Sequence, residues 1–166
     1  MSLENLYGTR PDMLPRSLVK LALIGEGSAR ARKWIGQPGV ELLALEEHLQ
    51  YEQEALGRFP RNSDASIDWV ATTIDLLTEV PDTGASRVDD AIQNFMPSEG
   101  DLIFIWGSVV IPSLKMTKET ALMRLSEIEE AIPEFWIYSP QGRVMAEISF
   151  SGALTVAKVP PSLENS

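Results

Sequence analysis

The chain has 166 residues, 44% hydrophobic and 23% charged, which suits one globular domain with a sizeable core and excludes wholesale disorder. It has no cysteine, so disulfides, thiolate nucleophiles, iron–sulfur clusters and cysteine-ligated zinc are excluded, in keeping with a cytoplasmic protein. The net charge of −10 is unevenly spread: residues 1–40 hold six basic and three acidic residues, residues 41–101 three and fourteen, and residues 102–166 five and seven.

An acidic middle third repels nucleic acid and anionic membrane and attracts a basic partner. No apolar run approaches the ~20 residues that span a bilayer. The N-terminal segment lacks the basic stretch and apolar core of a signal peptide. SLEN, at 2–5 and again at 162–165, is too short to count as a repeat.

Residues 1–16, with two prolines and a glycine, read as an irregular arm. Ser17 caps a short helix through Leu18, Leu21 and Ala22 that ends at Gly25; the same run also suits a strand, because short apolar runs lack a deciding period. The stretch LALIGEGSARARKW invites comparison with a dinucleotide-binding turn. That motif needs Gly-x-Gly-x-x-Gly between a strand and a helix. Here Arg30 stands at the third glycine position, and Glu41, near the expected distance for a ribose-binding acid, opens a segment that reads as helix. The reading is therefore a helix C-cap at Gly25 followed by a loop, with Arg30, Arg32 and Lys33 solvated or paired with the acidic segment.

Residues 40–56 read as a helix with Leu42, Leu45, Leu49 and Leu56 inward and Glu47, Tyr51 and Glu54 on the opposite face. Residues 65–80 read as a second helix, since Ile67, Val70, Ala71, Ile74 and Leu77 recur at helical spacing. Asp68, Asp75 and Glu79 would line one flank of it, with Trp69 and Leu76 on the other. Ser86 caps a third helix through Val88, Ala91, Ile92, Phe95 and Met96. From Gly100 the character changes. DLIFIWG is a strand, SVVIP continues or pairs with it, and Thr117 caps a helix that buries Ala121, Leu122, Leu125, Ile128 and Ile132. Three strands follow, FWIY, RVMAEISF and ALTVAKV. The expected architecture is α+β in a single domain, 1–166. A mainly helical half (17–97) packs on an antiparallel sheet of about four to five strands (100–159) with one inserted helix (117–132), and residues 160–166 form a tail.

Chemistry is weighed residue by residue. His48 is the sole histidine, so a nucleophilic triad would have to use it. Among Glu46, Glu47 and Glu52 it reads as a surface salt bridge, with Glu52 favouring its protonated form. One histidine without cysteine argues against a transition-metal site, and Asp82, Asp89 and Asp90 lack EF-hand spacing, so no metal or cofactor is expected. Trp106 and Trp136 read as core, Trp34 is ambiguous, and Trp69 is either buried or an aromatic anchor beside an acidic row.

The leading expectation is thus an acidic protein-binding module. In general profile it looks like bacterial toxin-immunity proteins, which neutralise a basic, nuclease-like toxin by direct binding, although no motif carries that resemblance. The expected contact residues are Glu47, Glu54, Asp68, Trp69, Asp75 and Glu79. The alternatives are a nucleotide-binding protein or small enzyme using the Gly25-Glu26-Gly27 turn, and a subunit of a phage or secretion assembly.

Overall fold

A computed structural model describes residues 2–64, 66–72, 76–80 and 88–161. Its centre is a seven-stranded sheet. The strands are β3 (Val40–Leu42), β4 (Leu76–Val80), β5 (Asp101–Trp106), β6 (Leu114–Thr117), β7 (Phe135–Ser139), β8 (Val144–Ile148) and β9 (Leu154–Lys158), in the order β3-β6-β5-β7-β8-β9-β4. Every neighbouring pair is antiparallel. Strands β1 (Val19–Ile24) and β2 (Ala31–Gly36) form a separate hairpin. The helices are α1 (Leu3–Leu6), α2 (Leu45–Glu54), α3 (Val88–Phe95) and α4 (Lys118–Ala131).

The alternation of side chains across each strand builds two cores. On one face Phe104, Ile137, Ala146 and Val156 lie in register across four strands. They are covered by Val88 and Ile92 of α3 and by Ala121, Leu125 and Ile128 of α4. Phe104, Trp106 and Phe135 pack ring to ring there, with centroids 5.7 to 6.1 Å apart. On the other face Ile103, Tyr138, Met145 and Ala157 lie in register under Leu43, Ala55, Leu56, Phe59 and Ile67. With both faces covered, β5 reads as an unbroken apolar run rather than an alternating one.

The structure keeps the mixed helix-and-sheet character but overturns the expected architecture. The first half is not a helical layer: it supplies β1, β2, β3 and β4, two of which extend the main sheet to seven strands, while α3 and α4, which cover one face, lie later in the chain. Where a short helix from Ser17 and a following loop were expected, residues 19–36 make the hairpin. The expected helix at 40–56 starts only at Leu45, after β3. The expected helix at 65–80 is replaced, in the part described, by turns through Asp68 to Thr72 and by β4 paired with β9. Its apolar spacing suits a helix, but Thr78 and Val80 are β-branched, and over residues 76–80 pairing with β9 decides in favour of the strand.

The arm carries α1 and a turn of 3-10 helix at Pro11–Met13. SVVIP is not a strand; the partner of β5 on that side is β6. Helices α3 and α4 and strands β5, β7, β8 and β9 lie where periodicity placed them. Thr117 caps α4 by accepting from the Thr120 N–H.

Candidate functional site

Three places on this scaffold bear on function. The first is the side of the sheet under α2. There His48 is 4% exposed, not a surface residue. Leu49, expected inward, is 41% exposed, so the helix is turned to bury its imidazole instead. His48 Nε2 lies 3.2 Å from Glu52 Oε2, the partner expected one turn on, and His48 Nδ1 lies 2.7 Å from Ser113 Oγ. The bond from His48 holds the Glu52 carboxyl below its ordinary value.

Serine, imidazole and carboxylate in a chain are the parts of a nucleophilic triad. Ser113, however, is 1% exposed, and its surroundings are filled. The Tyr7 hydroxyl donates to Leu43 O at 2.8 Å and accepts from the Ser113 N–H at 2.9 Å. The Tyr7 ring lies 4.7 Å from the imidazole. Burial pushes the Tyr7 hydroxyl pKa up, so it stays a neutral donor. The array is a buried polar clamp that fixes α2, the N-terminal arm and the start of β6, and it offers no substrate a path to Ser113.

The residues expected to contact a partner lie around this same side. Glu47 is half-buried and accepts from the Ala44 N–H at 3.4 Å. Glu54 accepts from Gln50 at 3.2 Å and lies beside Tyr138, whose hydroxyl pKa is raised by burial and then by that carboxylate. Asp68 accepts from the Ala71 N–H at 3.2 Å. Trp69 is neither a free anchor nor wholly buried. Its Nε1–H donates to Glu147 Oε1 at 2.8 Å, its ring meets Phe59 edge-on at 5.3 Å, and Trp136 Nε1–H donates to the other oxygen of Glu147 at 2.9 Å. Glu79 is exposed on β4 and shares a cross-strand row with Thr155 and Glu147, roughly 10 Å from the latter across two strand spacings. Asp75 lies outside the described residues. The single helical flank expected for Asp68, Asp75 and Glu79 therefore does not exist, because Glu79 is on a strand.

The second place is the Gly25-Glu26-Gly27 turn. It joins two antiparallel strands rather than a strand and a helix. Gly25 has φ 104°, and a Cβ there would sit 2.6 Å from Ala29 O, so glycine serves the hairpin tip itself. Arg16 stacks on Trp34 at the hairpin's base, 5.3 Å from the ring centroid. Beside that base opens a cleft of about 540 Å³ lined by Tyr7, Asp12, Lys33, Trp34 and Leu43 among others.

The third place, missed by sequence reasoning, is the C-terminal end of α4. Glu127, Glu129 and Glu130 fall in its last five residues, Glu134 follows Pro133, and its last turn has no basic residue. Glu127 meets Arg124 at 4.0 Å and the Ser17 hydroxyl. Glu129, Glu130 and Glu134 make no ion pair among the described residues. Burial, and then Asp89, raise the pKa of Glu129. Two small clefts of about 210 Å³ each meet here, sharing Ile132, Pro133 and Phe150. Phe150 is 77% exposed.

Among the described residues no group of three or more histidine, aspartate or glutamate side chains is placed to hold a metal, and no helix is long and apolar enough to cross a membrane. The chain matches no protein-family model and no curated protein.

Proposed function

We propose that this chain is an acidic protein-binding module acting in the cytoplasm, most concretely an immunity-type inhibitor that neutralises a basic, nuclease-like protein by direct binding. One observation carries the reading. Carboxylates on both sides of the sheet, Glu46, Glu79 and Glu130 among them, stand exposed with no ion pair among the described residues. Unpaired charge on a rigid scaffold accelerates encounter with a partner of opposite sign and rejects partners of the same sign. Such an inhibitor needs no chemistry of its own, and the closed Ser113–His48 array suits a scaffold role.

The test is affinity capture from the native lysate at low salt, elution at high salt, and association kinetics with the purified partner. The expected result is one basic protein in near-stoichiometric amount, whose association slows with salt and slows further when Glu46, Asp68 and Glu79 are reversed to lysine. A partner indifferent both to salt and to those reversals would overturn the reading.

A further inference from the structure

We infer that the groove around Phe150 is the anchor point for the basic partner, and that it takes a segment in which a lysine or arginine adjoins an aliphatic or aromatic side chain. The inference rests on the basic-partner reading above and gives it a place.

Phe150 is not a loosely exposed side chain. It sits in the β8–β9 turn, where the Ser149 N–H donates to Ala153 O at 2.9 Å, the Gly152 N–H to Ser149 O at 2.9 Å, and the Ala153 N–H to Ser149 Oγ at 3.1 Å. The turn holds the ring out between the two clefts, one reaching Met13 and Ile111, the other Phe135 and Ile148. An apolar anchor in a preformed cleft is the usual centre of binding energy in an interface.

The rim states the sign of the occupant. Glu134 lines one cleft and Glu129 the other. Both stand where the α4 dipole already places partial negative charge, and Asp89 adds to it at Glu129. A cation arriving there meets the helix end and unpaired carboxylates together. A second copy of this chain is a poor occupant, since it also carries −10. Phe150 lies outside both cores, so replacing it leaves the fold intact.

The test uses the isotopically labelled chain and two short synthetic peptides, one alternating lysine with leucine, the other lysine with serine. The lysine–leucine peptide is expected to shift amide resonances of the Phe150 turn and the end of α4. The lysine–serine peptide should bind at least about tenfold more weakly, and Phe150→Ser should weaken the lysine–leucine peptide by a similar factor. Glu26→Lys with Glu99→Lys, two charge reversals at exposed positions outside the proposed binding surface, should alter its affinity by less than about twofold. Shifts centred on α2 and β4, or full affinity in Phe150→Ser, overturn the assignment while leaving the acidic-module reading standing. A dimer formed through Phe150 that the peptide cannot displace overturns it too. If neither peptide binds anywhere and the lysate yields no basic partner, both readings fall.

Discussion

Helices α3 and α4 pack against each other over the same face of the sheet, yet their C-terminal ends are finished in opposite ways. Lys118 closes the end of α3, its ammonium donating to Gln93 O at 3.3 Å and to Met96 O at 2.8 Å. The carbonyls left over at a helix end are thereby satisfied by a cation matched to the dipole. The end of α4 has carboxylates where α3 has a lysine. The chain has the means to cap a helix well and leaves one helix uncapped in charge. A partner's positive charge would therefore be worth more at the end of α4 than at the end of α3.

Removing the good cap should have the largest effect. Lys118→Met is expected to cost about 1–2 kcal/mol, from two charge-assisted hydrogen bonds at a partly buried site, read as a lower urea midpoint at unchanged slope. An unchanged midpoint would mean that α3 ends equally well in water. Thr117→Ala strikes the opposite end of α4 and should cost about 1 kcal/mol through the lost bond to the Thr120 N–H. Repairing the poor end should act the other way. Glu130→Lys is expected to stabilise the chain by about 0.3–1 kcal/mol at low ionic strength, and salt should shrink the gain. A loss of stability there would show that the end of α4 is not short of positive charge.

The smallest effect separates an acid with a partner from one without. Glu52 is held below its ordinary value of 4.5 by His48, so its contribution is present above that value and fades as pH falls through the lowered one. Glu129 is raised above 4.5 by burial and by Asp89. Its ionisation therefore opposes folding at neutral pH, and that cost disappears as pH falls through the raised value. In urea titrations between about pH 3 and 7, Glu52→Gln should be less stable than the parent at neutral pH and Glu129→Gln more stable, with both differences closing at the acid end. Differences of the same sign would contradict the contrast.

The parts of the fold legible in the sequence are those whose signal is long or repeated. Thr117 with Ala121, Leu125 and Ile128 marks α4, and the run Val144 to Ile148 marks β8. Strands β3 and β6 have three and four residues, too few for any period to show. Residues 67–77 space their apolar positions like a helix, and at residues 76–80 pairing of β4 with β9 overrides that local pattern. The site was hidden for another reason. The run SEIEEAIPE is plainly acidic, but its meaning depends on Phe150, which the β8–β9 turn brings alongside it. His48 likewise read as a surface residue because Ser113 lies 65 positions away.

The contact of Tyr7 with Ser113 also sets a clock. The two residues are 106 positions apart, so on a ribosome the arm emerges long before the backbone it must bind. At about 5–20 residues per second the hydroxyl waits roughly 5–20 s for its partner. From the emergence of His48 until the end of that interval, its imidazole lacks the Ser113 hydroxyl, which lies 65 positions further on. A nascent chain stalled before Ser113 would therefore hold α2 without its seat.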